Sequence, residues 1–263
     1  MTGDGALRIA TWNVNSVRKR MGRLVPWLES RSPDVVCLQE TKVEDDLFPE
    51  EALREAGYHA AILGQKTYNG VAVLSRHPLE VVSRNLGDGG DDTQARLLDV
   101  RTGGLRLIDV YIPNGKEVED PAFVYKLEWM ARLARYLEVR CDPGEPLILC
   151  GDFNVAPEPI DLHDPVGGDG KVLFHPDERE AFARFLRWGM VDTVRHHHPD
   201  TPVFSFWDYR RLAFPRNEGY RIDHILVTRP LLPRCREAFV DREARKGKEP
   251  SDHAPVVAVL DPL

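Results

Sequence analysis

Four short apolar runs in this sequence end in polar residues suited to cations and phosphoryl oxygens. Arg8–Trp12 runs into Asn13-Val14-Asn15, Val35–Leu38 into Gln39-Glu40-Thr41, Leu105–Tyr111 into Pro113-Asn114-Gly115, and Leu147–Cys150 into Gly151-Asp152-Phe153-Asn154. A carboxylate inside such a run is costly to bury, whereas at the rim of a sheet it can meet a cation. Glu40 and Asp152 stand at such rims, and Asn13 and Asn154 add amide oxygens. Oxygen donors suit hard divalent ions, magnesium first and manganese next. Each of these residues has a plainer alternative as the cap of a following turn or helix. Four together at separate strand ends favour a shared site.

Gly151 permits a close turn, after which Asp152 and Asn154 stand two residues apart near one face. An ionised Asp can take a proton from attacking water, though an ordinary carboxyl, with pKa about 3.9, is a weak base. A neighbouring cation helps by acidifying the water itself. Ser251-Asp252-His253 and the strand-like segment around Asp223 supply a second pairing. An Asp that accepts from one histidine nitrogen leaves the other free for a phosphate oxygen. Sequence alone leaves open whether His253 and Asp223 touch. The Tyr111 hydroxyl is a further phosphate donor, or else an interface aromatic with its tip in water.

Strands and helices must bring these groups together. Beyond the four runs above, Val71–Leu74, Arg221–Val227 and Val256–Leu260 also read as strands. Val17, Met21, Leu24 and Leu28 predict a helix stopped by Pro33, and Phe123, Leu127, Met130, Leu133 and Leu137 predict a second. Phe182, Phe185 and Leu186 predict a third, entered through His175-Pro176-Asp177. Ser251-Asp252-His253 precedes its strand while the other polar groups follow theirs. If the groups converge, the sheets must be mixed. Interleaved elements without a long linker indicate one α/β or α+β domain over residues 1–263.

Of the 263 residues, 42% are hydrophobic and 29% charged, enough for a sizeable core. No apolar run is long enough to span a membrane, and Met1 to Leu7 lacks a signal-peptide pattern, so a cytoplasmic chain is expected. In a prokaryote it would associate with the nucleoid. Cys37, Cys141, Cys150 and Cys235 show no zinc spacing and read as reduced thiols, with Cys37 and Cys150 inside apolar runs. A net charge of −7 argues against a protein coated in positive charge. A local basic rim remains available in Arg210-Arg211 and in Arg242 to Lys248, each with a plainer alternative as a solvated loop. His196-His197-His198 reads as surface loop, because adjacent side chains point in different directions.

Seven segments together resemble the exonuclease III-type abasic-site endonucleases of the endonuclease/exonuclease/phosphatase superfamily. They are Thr11 to Arg18, Leu38-Gln39-Glu40-Thr41-Lys42, Tyr111-Ile112-Pro113-Asn114-Gly115, Gly151 to Ala156, Phe206-Trp207-Asp208-Tyr209-Arg210, Gly219 to Asp223, and Ser251-Asp252-His253. The resemblance implies an α/β (α+β) four-layer sandwich, with two mixed β-sheets packed face to face and helices outside. It also implies a rough internal duplication. In the implied roles Glu40, with Asn13 nearby, binds the main metal, and Asp252 is a metal ligand or stands just behind one. Asp152 activates the water, oriented by Asn154, while Tyr111, His253 and Asp223 hold the scissile phosphate. With a second ion, Asp152, Asn154 and His253 become its ligands.

The implied reaction is hydrolysis of double-stranded DNA 5′ of an abasic site, leaving a 3′ hydroxyl, with 3′→5′ exonuclease and 3′-phosphatase side activities on blocked 3′ ends. Tyr111 stands where other branches of the superfamily usually carry histidine. Phe206, Trp207 and Tyr220 resemble the wall of a pocket for a flipped-out, baseless sugar, with core packing as the plainer alternative. Asn15, Arg18, Lys126 and Arg221 are expected to contact DNA, and for the three cations the alternative is a surface ion pair. The glycine-rich segment Asp161 to Lys171 departs from the family pattern, and its contacts stay open. Without a long N-terminal extension the chain looks like the bare catalytic domain, working as a monomer. The rivals are a non-specific nuclease or small-phosphoester phosphatase of the same superfamily, and a catalytically silent DNA-damage binder.

Overall fold

The computed structural model describes residues 5–90 and 93–262. The first four residues of the N-terminal stretch read above lie outside them. Among these described residues, twelve strands form two six-stranded sheets. The first holds β1 (Leu7–Asn13), β2 (Val35–Gln39), β3 (His59–Leu63), β4 (Val71–Ser75), β11 (Cys235–Val240) and β12 (Val256–Leu260), in the order β11-β12-β1-β2-β4-β3. The second holds β5 (Glu80–Ser83), β6 (Leu97–Thr102), β7 (Leu105–Tyr111), β8 (Leu147–Asp152), β9 (Met190–Asp192) and β10 (Asp223–Thr228), in the order β5-β6-β7-β8-β10-β9. Each sheet has one parallel pair at its centre, β1 with β2 and β7 with β8, and antiparallel neighbours elsewhere. The sheets are mixed, as convergence of the polar groups required.

The longer helices are α1 (Val17–Arg31), which crosses over between β1 and β2, and α3 (Pro121–Arg140), which crosses between β7 and β8. Shorter ones are α2 (Glu50–Glu55), α4 (Pro165–Gly168), α5 (Pro176–Trp188), α6 (Thr193–His197) and α7 (Ala213–Arg216). Among the described residues, no helix is long and apolar enough to cross a membrane.

The central strands are apolar on both faces because both faces are covered. Ile9, Cys37, Val73, Leu107, Ile148, Cys150 and Ile225 meet between the sheets. Ala10, Trp12, Val36 and Leu38 turn outward beneath Leu24 and Leu28 of α1. Leu149 and Val110 turn outward beneath Trp129, Leu133 and Phe185 of α3 and α5. The result is helix, sheet, sheet, helix. Asp120 caps α3 by accepting from Ala122 N, with Pro121 in the first turn. His175 caps α5 with Glu178 closing a capping box.

Registers decide where the chemistry lands. Asn13 lies beside Gln39 at the end of the β1–β2 pair, and Tyr111 lies beside Asp152 at the end of the β7–β8 pair. β10 runs antiparallel to β8, so its first residue, Asp223, also lies beside Asp152. The chain enters β12 from the same edge, just after His253. The His196-His197-His198 tract differs from the loop expected. It ends α6, where the rings of His197 and His198 bond the carbonyls of Cys235 and Ala238 at the β11 edge.

Candidate active site

At this shared edge the strand ends line a cavity of about 490 Å³. Glu40, Tyr111, Asp152, Asn154, Asp252 and His253 line it, with Asn114, Arg210 and an apolar side of Leu173, Phe206 and Ile222. Two backbone details put the groups there. Gly151 has φ +145°, and a Cβ on it would stand 1.9 Å from the Val110 carbonyl oxygen, so only glycine lets β8 approach β7 this closely. Glu40 and Asn154 occupy the left-handed region at φ +51° each, an uncommon conformation for such residues outside tightly constrained sites.

Asn13 braces two carboxylates from below. Its Nδ2 donates to Glu40 Oε1 at 2.8 Å and to Asp152 Oδ2 at 2.9 Å, while its Oδ1 accepts from Asn15 N at 3.0 Å. The expected amide-oxygen ligand is thus first of all an orienting donor. Tyr111 Oη donates to Glu40 Oε1 at 3.0 Å, and Lys42 Nζ lies 2.6 Å from Glu40 Oε2. Burial works against the charge on Glu40, but Lys42 and Asn13 outweigh it and hold its pKa below the ordinary value. Burial, with Glu40 and Asp152 nearby, pushes the Tyr111 hydroxyl well up, so it keeps its proton and acts as a donor.

His253 Nδ1 lies 2.8 Å from Asp223 Oδ2, and its Nε2 faces Asp152 Oδ2 at 3.8 Å. Burial disfavours the charged ring, but Asp223 and Asp152 outweigh it and raise its pKa to about 10. Ser205 Oγ donates to Asp223 Oδ2 at 2.6 Å and fixes that carboxylate. Asp152 is pushed up to about 7, chiefly by burial, with His253 opposing. Asn154 N donates to Asp152 Oδ1 at 2.9 Å, and Asn114 Nδ2 donates to Asn154 Oδ1 at 2.9 Å. Asp252 accepts from Asn15 Nδ2 at 3.0 Å, which ties Asn15 to the rim.

The donor set fits a hard divalent cation. Glu40, Asp152 and Asp223 offer only oxygen, and one ligand atom each of Asp152, Asp223 and His253 lies within 4.8 Å of the others. Among the described residues no cysteine joins this group. Three crowded carboxylates pair closely with Lys42 and His253, and a cation would relieve the surplus negative charge.

Four residues expected to meet DNA, Lys126, Trp207, Tyr220 and Arg221, do not line the cavity. Lys126 is fully buried, paired with Glu178, and donates to the carbonyl oxygens of Asn154 at 2.6 Å and Asn114 at 3.1 Å. A cation inside an ion pair beneath the loop cannot reach a phosphate, and Lys126 instead props the two asparagines. Arg221 is equally buried, held by Asp161 at 2.6 Å and Asp192 at 2.6 Å. Trp207 is 1% exposed and packs against Phe214 in a small core, leaving Phe206 of that pair at the cavity. Tyr220 is half-buried against Phe206 and His163 and does not line the cavity. Arg18 is exposed on the first turn of α1.

Lys42, Asn114, Leu173, Ser205 and Ile222 belong to the site without having been singled out. Lys42, Asn114 and Ile222 fall inside the matching segments, so adjacency to Glu40, Tyr111 and Asp223 was a usable signal. Nothing in the sequence marks Leu173.

The chain matches the Endonuclease/Exonuclease/phosphatase family over residues 10–253. It is 35% identical over 266 residues to "Exodeoxyribonuclease III" of Haemophilus influenzae, covering 96% of this chain and 99% of that one. Among solved structures, an AP endonuclease from Archaeoglobus fulgidus superposes with TM-score 0.94 at 42% identity, covering 97% of this chain and 99% of that chain. A 3′ phosphatase from Neisseria, bound to a product DNA hairpin, superposes with TM-score 0.93 at 39% identity, with the same two coverages.

Proposed function

This chain belongs to the Endonuclease/Exonuclease/phosphatase family, and from that premise we propose that it is a magnesium-dependent DNA repair nuclease that cleaves 5′ of abasic sites, leaving a 3′ hydroxyl. The observation carrying this reading is the meeting of Glu40, Tyr111, Asp152, Asn154 and His253 in one cavity with an apolar side. The polar side suits a phosphodiester. Phe206, Leu173 and Ile222 suit a sugar without its base.

Glu40 would hold the main ion, with Asp252 close by, and Asp152, Asn154 and His253 are the groups for a second. Magnesium or manganese there supplies Lewis acidity, which acidifies water and offsets charge on the phosphate and the leaving oxygen. Asp152 accepts the proton of the attacking water, held in place by Asn13 and by Asn154 N. Asn154 and Asn114 orient that water. His253, kept protonated by Asp223, presents Nε2–H to a phosphate oxygen, and Tyr111 presents its hydroxyl. The same groups serve removal of a 3′ nucleotide or a 3′ phosphate, because each reaction is attack of water on a phosphorus beside the same apolar wall. The enzyme works as a monomer on double-stranded DNA, in the cytoplasm.

Purified protein is expected to nick a duplex carrying one abasic analogue with magnesium and not with a chelator. Asp152→Asn abolishes nicking while the fold stays intact by circular dichroism. Parental nicking by that variant would remove Asp152 as the base. Equal cutting of an undamaged duplex would favour a non-specific nuclease, and preference for a soluble phosphoester would favour a phosphatase.

A further inference from the structure

The catalytic cavity shares a wall with a second one. Asp208 and Tyr209 line both, and the second, about 360 Å³, is lined also by Phe214, Arg245 and Pro250. Arg245 belongs to the basic run Arg242 to Lys248, which the catalytic chemistry leaves unused. It is 7% exposed, and Arg20, behind Tyr209, is 8% exposed.

Guanidinium groups buried this deeply normally face a carboxylate. Arg221 is such a case, facing Asp161 and Asp192, whereas Arg96, 8% exposed, has Gln94 Oε1 and the Tyr111 carbonyl instead. Among the described residues, no carboxylate lies within 4.0 Å of Arg20 or Arg245. Arg20 Nη2 donates to Tyr209 Oη at 3.1 Å, and Tyr209 Oη donates on to Pro250 O at 2.9 Å. Arg245 Nη2 reaches only Trp207 O, at 3.5 Å. The Nε atoms of both arginines are buried without a partner. The Arg245 guanidinium lies 5.2 Å from the Tyr209 ring centre and 5.0 Å from that of Phe214, so two aromatic faces hold its position. Arg23 stands near too, but the carbonyls of Ala244 and Lys248 occupy it. Burial lowers the pKa of Arg245; the attraction of Tyr209 and Asp252 opposes it, and Arg20 and Arg23 add a smaller repulsion.

Like charges held together with donors to spare are poised for an anion, and guanidinium forks match phosphate oxygens. We propose that Arg245 and Arg20 form a phosphate subsite that takes a backbone phosphate of the bound DNA strand, next to the phosphate held in the catalytic cavity. It rests on the reading of this protein as a DNA nuclease. The subsite fixes how the strand lies across Tyr209 and so which phosphate arrives at His253.

The test is binding, without turnover. Affinity for a duplex with an abasic analogue is measured in chelator across a salt series. Arg245→Met should make the slope of log affinity against log salt shallower by about 0.9, the value for one lost phosphate contact. Arg245→Lys should keep most of the parental slope. Arg184→Met, an exposed change on α5, should keep all of it. Arg20→Met, with a melting curve for each variant, covers the case in which Arg245→Met fails to fold. Parental slopes in folded Arg245→Met or Arg20→Met overturn the subsite. So does stabilisation of the parent by inorganic phosphate, absent in Arg245→Met, if the DNA slopes stay equal: the site then takes free phosphate. A parent that binds duplex DNA but nicks no abasic site defeats the proposed activity, while its salt slopes still decide the subsite.

Discussion

Lys126 offers the sharpest separation between a DNA contact and an internal prop. Lys126→Met keeps a similar volume and removes the charge, which leaves Glu178 buried opposite nothing. Breaking a fully buried ion pair from one side costs roughly 3–5 kcal/mol, mostly from the stranded charge. For a chain of this size that corresponds to a fall in melting temperature of roughly 6–20 °C. Glu178 Oε2 also accepts from His175 N at 2.9 Å, so part of its capping role survives. Lys126→Met with Glu178→Gln removes the stranded charge and should recover a good part of the loss. The Asn154 and Asn114 carbonyls lose their shared donor in both variants, and Gly115, at φ +91°, packs on the aliphatic stem of Lys126. Loosening Asn154 by a fraction of an ångström should lower kcat on the order of tenfold to a hundredfold, with less change in KM. Calorimetry and steady-state nicking read these two effects. A Lys126→Met variant that melts like the parent but binds DNA with a shallower salt slope would refute the reasoning and restore Lys126 to the phosphate backbone.

Two pH effects follow from buried groups. The pKa of His253 is raised to about 10 in the folded state, so its charged pairing with Asp223 stabilises fully below about 6.5, the unfolded value, and is lost as pH rises through about 10. Urea midpoints should therefore fall between pH 7 and 10, and Asp223→Asn should flatten that fall; an unchanged slope would mean that the pair does not hold the proton. Burial pushes the Asp109 carboxyl well up, and an acid shifted this way makes folding less favourable as pH rises above about 4. Gln39 Nε2 donates to Asp109 Oδ1 at 2.7 Å, while Asp109 Oδ2 is buried without a partner, so an ionised carboxyl there would carry an unsatisfied oxygen. Asp109→Asn should match the parent near pH 5 and exceed it at pH 8 in urea denaturation, and an Asn variant weaker than the parent at pH 8 would show an ionised carboxyl.

What could be read in advance followed burial on both faces. β1, β2, β4, β7, β8, β10 and β12 lie inside their sheets, and their largely apolar runs are visible in sequence even where a polar residue such as Asp109 of β7 stands among them. β3, β5, β9 and β11 are edges, with a partner on one side only, and their composition is correspondingly mixed. β6 is the exception, since it lies inside its sheet yet went unread. Asp99 interrupts its apolar run, and that charge is tolerable only because Arg106 and the Tyr136 hydroxyl reach it at 2.6 and 2.7 Å. A strand whose burial depends on a partner elsewhere does not look like a strand until that partner is placed.

The same dependence sorts the cations. Glu40, Asp152 and His253 were recognisable because their positions relative to strand ends constrain them locally. Lys126 and Arg221 have the look of DNA contacts, but their carboxylates come from 29 to 60 residues away, and nothing near them in sequence announces the pairing. Once those two are matched with internal acids, two buried guanidinium groups that no carboxylate reaches, Arg20 and Arg245, flank Tyr209 beside the catalytic cavity. A net charge of −7 is then no obstacle to binding DNA. Acids such as Asp161, Asp192 and Glu178 neutralise buried cations, so the local charge that a phosphate meets differs from the net charge and depends on guanidinium groups such as Arg20 and Arg245.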